Sequence, residues 1–403
     1  MTNETKSIIK LISRFLKNRE FTILINKKWI IPLFLLRINE FLIKVCYDIN
    51  GDIMEKQQRE IFADTLRFFA IIFVIIIHAT CNYYVESYGT KMFLMTLGIS
   101  SLTSCAVPLF YMLSGCFLIN KKNTNYKTFY KKVLKIILQT LFWTLIYLLI
   151  FKFLMNQDIN IIKKMFTALF KEQVDHLWYM YPLIGLYILT PFISRLYLSL
   201  NEREKKGLLM LILVLPVLLG TLQLKFWDVI SIPKFAIFFP ELGLFVLGKY
   251  LYDKKKIYQN SKISLISAGT TILGLILIAV LAKIMINSQG ISNTKPYFDC
   301  TLLPNFMLDT SLFIFAISIN KYLEKIPQKI KKFISIVATN TGGIYFIHMI
   351  FLYLLPDINI FGLHFTANNG NLINMLLGSG LYFALTLIVV LIIKKIPYLN
   401  KTI

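Results

Sequence analysis

The sequence predicts an all-α polytopic membrane protein, a bundle of about ten transmembrane helices with both termini in the cytoplasm, and three observations predict it. Hydrophobic residues make up 56% of the 403, with a mean hydropathy of +0.64. Apolar segments near the roughly 20 residues that cross a bilayer recur along the chain. Lysine and arginine gather in alternate loops. Little is left over for a soluble domain. A net charge of +23 could suit nucleic acid, but the basic residues stand in short loops between apolar segments, with no basic domain to hold a duplex.

Residues 1–60 form a cationic extension. Ile8, Ile12, Phe15 and Leu16 share one helical face, with Lys10, Arg14 and Lys17 largely elsewhere, which suits a helix lying on an anionic membrane surface. The stretch from Trp29 to Cys46 is more apolar, yet Pro32, Arg37, Asn39, Glu40 and Lys44 interrupt it. It reads as interfacial or re-entrant rather than spanning. Without the short apolar core and cleavage site of a signal peptide, insertion is left to the first spanning helix.

The membrane domain then covers 61–396, with spans expected at 62–81, 92–119, 133–154, 177–196, 207–223, 234–252, 263–286, 300–319, 333–355 and 373–393, before a cytoplasmic tail at 397–403. Pro108 predicts a kink in the long second span. The N-terminal extension, the tail and the loops on their side contain 34 of the 44 Lys and Arg, against nine in the alternate loops. The positive-inside rule therefore places both termini in the cytoplasm and the protein in the cell membrane as a multi-pass chain.

Charges within such segments are costly and tend to face a protein interior or an aqueous cavity, so they mark candidate sites. Arg67 and His78 lie eleven helical steps apart, which puts both on one face, roughly 16 Å apart along the axis. Asp64 can pair with Arg67 at the i, i+3 spacing. By helix counting, His78, His348, Glu241, Asp309 and His176 gather in the outer half of the membrane, with Trp178 beside His176. Asp64 and Arg67 stay on the cytoplasmic side with Lys131, Lys132 and Lys135.

Each feature also has a plain structural reading. A single histidine such as His348 can be a hydrogen-bonded packing residue. Glu241 and Asp309 can bond a freed amide or a neighbouring helix. His176 with Trp178 and Tyr179 can belong to an interfacial aromatic belt, and the lysines set topology first. No metal set stands out, and the five cysteines have no ligand spacing.

These residues bear a resemblance. Asp64-Thr65-Leu66-Arg67 with His78 resembles the first-helix signature of the bacterial integral-membrane acyltransferases called acyltransferase family three, in which Arg and His are separated by ten residues. The segment from Val107 to Gly115 (VPLFYMLSG) is similar to that family's second helix. His176-Leu177-Trp178-Tyr179-Met180 with Gly185 to Pro191 resembles its fourth, and Gly343-Ile344-Tyr345-Phe346-Ile347-His348 its late histidine-bearing helix. The likeness runs over about 60–395. It implies transfer of an acyl group, usually acetyl, from cytoplasmic acyl-CoA to a hydroxyl of an extracytoplasmic glycan or its lipid-linked precursor. A chain of this length is similar to the stand-alone surface-polysaccharide O-acetyltransferases. Where relatives often have paired arginines after the second helix, this sequence has Lys132 and Lys135, which lack the bidentate fork for phosphate. The first 60 residues have no counterpart.

Acyl transfer to a sugar needs a base for the hydroxyl and stabilisation of an oxyanion. Neutral His78 is the expected base. Arg67, oriented by Asp64, is expected to bind the CoA or pantetheine arm, with Lys132 and Lys135 as further donor contacts and Ser114 and Gly115 small enough to let the arm pass. His348, Glu241, His176, Trp178 and Asp309 are candidates for binding the acceptor or orienting His78. An acyl-histidine intermediate is equally compatible. Expected partners are acyl-CoA as donor substrate, a surface glycan or lipid-linked saccharide, and the bilayer, with no permanently bound cofactor or metal. A transporter or flippase of lipid-linked sugars is the competing class, since it too would use ten helices, broken segments and buried charges.

Overall fold

The computed structural model describes residues 60–80, 83–168, 170–225, 240–289, 302–360, 363–366 and 371–403. The expectations for residues 1–59, the surface helix and the re-entrant stretch, lie outside the described residues. So do the first residues of the spans expected at 234–252 and 300–319.

The apolar run after Glu60 forms α1 (Ile61–Thr80). Its second half is rich in β-branched Ile and Val, poor helix formers in water, but a bilayer leaves the backbone no partner other than itself. The Thr65 and Thr80 hydroxyls bond back to the Ile61 and Ile76 carbonyls, so they too are satisfied within the helix. The second expected span is two helices, α2 (Phe93–Thr103) and α3 (Ala106–Leu118), separated at Ser104 and Cys105. Pro108 lies four residues after Ser104, where its ring would meet that carbonyl and its missing N–H removes the bond, so the break falls where the proline requires it.

Next come α4 (Tyr126–Phe153), capped by the Asn125 side chain on the Lys127 amide, and the short α5 (Ile161–Thr167), capped by Asn160. A single 3₁₀ turn at Asp175–Tyr179 leads into α6 (Met180–Ser199). A capping box between Asn201 and Glu204 starts α7 (Glu202–Leu209), which passes through a π turn at Met210–Val214 into α8 (Leu215–Lys225). Then follow α9 (Pro240–Asp253), α10 (Ser261–Gln289), α11 (Leu303–Ser318), α12 (Gln328–Ala338) and α13 (Thr341–Leu354). A two-stranded antiparallel hairpin, β1 (Asp357–Ile360) and β2 (Leu363–Thr366), precedes α14 (Leu372–Ile393).

Among the described residues seven helices are long and apolar enough to cross a membrane, or eight if α12 and α13 form one span. The expected count of ten needs α9 and α11 as well, which at 14 and 16 described residues are shorter. The ninth expected span, 333–355, is not straight: α12 and α13 meet at 72°. The break falls at Thr339 and Asn340, just before Gly342 and Gly343, where the residues favour turns and caps over helix interior.

Two close crossings shape the interior. A Cβ on Gly115 of α3 would lie 1.6 Å from the Phe245 carbonyl oxygen, and one on Gly248 of α9 would lie 2.0 Å from that of Met112. Backbone touches backbone here, the contact that small residues permit between membrane helices. Gly115 is therefore a packing residue, and the space expected to pass a donor arm is taken by Phe245. The last residues also pack inward: the Trp143 indole donates to the Thr402 carbonyl at 2.7 Å and the Gln139 amide to that of Lys401 at 3.0 Å.

Candidate functional site

Three histidines from three elements meet at the Thr80 end of α1. His78 comes from the last turn of α1, His348 from the middle of α13, and His176 from the 3₁₀ turn before α6. Their ring centroids are 5.3 Å apart for His78 and His348, 5.4 Å for His176 and His348, and 6.3 Å for His78 and His176. His348 is 0% and His176 1% exposed, while His78 is half-buried and so lies on the approachable side of the group.

Tyrosines hold this arrangement, and the sequence reading did not single out Tyr147 or Tyr345. The Tyr147 hydroxyl donates to the Phe346 carbonyl at 2.7 Å, which fastens α4 to α13, and its ring packs on His176 at 4.6 Å. The Tyr345 hydroxyl donates to the His176 carbonyl, which fastens α13 to the 3₁₀ turn. Tyr179 packs against Tyr345 at 5.5 Å and Tyr111 at 5.0 Å. The signal was present in two of the quoted motifs, since Tyr179 is three residues after His176 and Tyr345 three before His348.

His348 is fixed by its own helix. Its Nδ1–H donates to the Tyr345 carbonyl at 2.7 Å, which leaves Nε2 as the bare nitrogen. That Nε2 and both ring nitrogens of His176 are buried with no hydrogen-bond partner among the described residues. A buried polar atom without a partner costs about 1–3 kcal/mol, so these nitrogens are kept at the expense of stability. Among the described residues no group of His, Cys, Asp or Glu could hold a metal ion.

The Ile61 end of α1 is built differently. Arg67 Nη1 donates to Asp64 Oδ1 at 3.1 Å, the i, i+3 pair that the spacing predicts, and its guanidinium lies 4.9 Å from the centre of the Phe117 ring. Asp64 is buried and Arg67 half-buried. Nearby, Glu60 accepts from Tyr252 at 3.0 Å and pairs with Lys255. Lys132 is exposed and donates to Asn123 at 3.1 Å, lying over the Phe129 ring, which in turn packs on Tyr187. Lys135 stands one turn further along α4, half-buried, and Ser114 is half-buried on α3.

Trp178 is 45% exposed and on the outer wall of the bundle. Asp309 is buried on α11, one turn from Phe313, whose ring meets that of Phe62 at 6.2 Å, and eleven residues from Asn320, which accepts from the Phe62 amide; its carboxylate acts electrostatically on Cys105 at the break between α2 and α3. Both Asp309 oxygens and the Asn305 amide are buried with no partner among the described residues. Glu241 opens α9, half-buried, eleven residues before Tyr252, whose ring stacks on Phe62 at 6.1 Å. Helix counting puts Glu241 roughly 16 Å along from Tyr252, short of the roughly 24 Å between Phe62 and His78.

A helical bundle with membrane-spanning segments, a buried histidine group at one end and a paired arginine at the other defines an integral-membrane protein with a polar interior site. A family model described as an acyltransferase domain matches residues 60–395, nearly the whole chain. The chain belongs to this family, acyltransferase family three, and is a membrane acyltransferase. No curated protein and no solved structure matches it. Family membership sets the transporter alternative aside.

Proposed function

We propose that the protein moves an acetyl group from cytoplasmic acetyl-CoA to a hydroxyl of an extracytoplasmic or lipid-linked glycan in the cell membrane. The observation that carries this reading is the polarity of α1, with Arg67 held by Asp64 at one end and His78 among the histidines at the other. Arg67 suits the phosphates of the donor, because a guanidinium offers a planar set of donors. Lys132 and Lys135 add positive charge on the same side, which the positive-inside rule makes cytoplasmic.

His78 takes the proton of the acceptor hydroxyl as its oxygen attacks the thioester carbonyl. The tetrahedral intermediate collapses with loss of the C–S bond, and CoA thiolate leaves and is protonated. Arg67 and His78 are roughly 16 Å apart, so one holds the donor while the other acts at the reacting carbon. An extended pantetheine arm suits that span. The test is release of free CoA from acetyl-CoA by purified protein in membranes that supply the native acceptor. Acceptor-dependent release with label appearing in the glycan supports the reading, and no release above that of protein-free membranes overturns it.

A further inference from the structure

We infer that His348 is a positioning residue for His78: its bare Nε2 accepts the N–H of His78, so that the other nitrogen of His78 faces the acceptor hydroxyl as base. The inference rests on the reading of His78 as the base and deepens it.

Three observations carry it. First, the tautomer of His348 is set by its Nδ1–H bond to the Tyr345 carbonyl at 2.7 Å, which makes Nε2 an acceptor only. Second, Nε2 is fully buried with no partner among the described residues, so it is an acceptor waiting for a donor. Third, the two rings are 5.3 Å apart at 42°. Subtracting a hydrogen bond of about 3 Å leaves roughly 2.3 Å, the reach of two imidazole rings from centre to nitrogen. A small turn of the His78 ring closes the bond, as catalytic hydrogen bonds tighten when substrate binds.

The chain of contacts is then Tyr345 carbonyl, His348 Nδ1–H, His348 Nε2, His78 N–H and the bare His78 nitrogen. When the hydroxyl proton arrives on His78, the N–H shared with His348 stabilises the imidazolium. His348 does for His78 what a buried carboxylate does in a hydrolase triad, with a neutral acceptor. Buried as it is, His348 does not meet the acceptor itself. Among the described residues His176 and Asp175 from the 3₁₀ turn and Tyr345 from α13 lie beside the pair, with Tyr147 from α4 against His176; the Asp175 carboxylate acts on His78 electrostatically.

The test compares His348→Phe, which keeps a flat ring but no acceptor, with His348→Gln, whose amide oxygen can accept. Full-length variants are assayed in native membranes with labelled acetyl-CoA, across pH. His348→Phe is expected to lower kcat by about 100-fold with the KM for acetyl-CoA within twofold. His348→Gln should recover at least about tenfold of that loss. An acceptor for the His78 N–H favours the protonated imidazole, so its loss moves the acid limb of the kcat profile to lower pH. The inference is overturned if His348→Phe stays within threefold of wild type. It is equally overturned if both variants lose activity alike with an unmoved acid limb. Failure of the wild type to release CoA with acceptor would overturn the functional reading instead.

Discussion

The two ends of α1 solve opposite problems with the same helix. At the Ile61 end four cations have carboxylate partners: Arg67 is paired with Asp64, Lys255 with Glu60, Lys249 with Asp253 and Lys254 with Glu202. At the Thr80 end the histidines are packed beside tyrosine rings, and three of their ring nitrogens lack partners among the described residues. A satisfied, half-exposed cation suits a ligand that arrives charged from water. Buried acceptor nitrogens suit orienting a neighbouring imidazole, because the low dielectric around them strengthens a hydrogen bond. The contrast teaches that holding the donor and reacting with it are separated along one helix.

Substitutions break this contrast to different degrees. Gly115→Leu should remove it altogether by forcing α3 from α9, because even a Cβ there overlaps the Phe245 carbonyl. A loss of about 3 kcal/mol or more is expected, read as a fallen Tm in detergent and poor recovery of folded protein. Arg67→Ala affects the donor end alone. It should raise the KM for acetyl-CoA by about tenfold to 100-fold, as loss of a charged hydrogen bond does, with a smaller change in kcat. Tyr147→Phe removes the hydroxyl bond to Phe346 while keeping the ring on His176. About 1 kcal/mol of stability and a several-fold fall in kcat are expected. Lys132→Ala should do least, within about twofold in KM at physiological salt, because the side chain is exposed and screened.

Much of α1 was legible in the sequence because helical period alone aligns Asp64, Arg67 and His78, and the ion pair follows from spacing. Depth was legible for His176, at the end of its expected span, whereas His348 was counted along a straight 333–355 span that bends by 72° between α12 and α13. Which helices neighbour each other was not legible, because apolar segments of a membrane bundle carry no pattern that names a partner. That is why the sequence does not say that Phe313 of α11 meets Phe62 of α1 or that Asp309 acts on Cys105. The bend between α12 and α13 was hidden by hydropathy that continues across it, although Thr339, Asn340, Gly342 and Gly343 are the residues that allow it. Gly115 was read as an opening because a small residue can admit a ligand or a neighbouring backbone, and sequence does not say which. Tyrosines are common at membrane interfaces, so Tyr147 and Tyr345 drew no notice until their rings met the histidines.

The most direct measurement is the split between kcat and KM for His78→Ala and Arg67→Ala, with acetyl-CoA as donor and native membranes as acceptor. The account predicts that His78→Ala loses about 10³-fold or more in kcat with an unchanged KM for acetyl-CoA, and that Arg67→Ala shows the reverse weighting. Activity of folded His78→Ala near that of wild type, or a kcat loss in Arg67→Ala equal to that in His78→Ala with no change in KM, would contradict a helix that holds the donor at one end and reacts at the other.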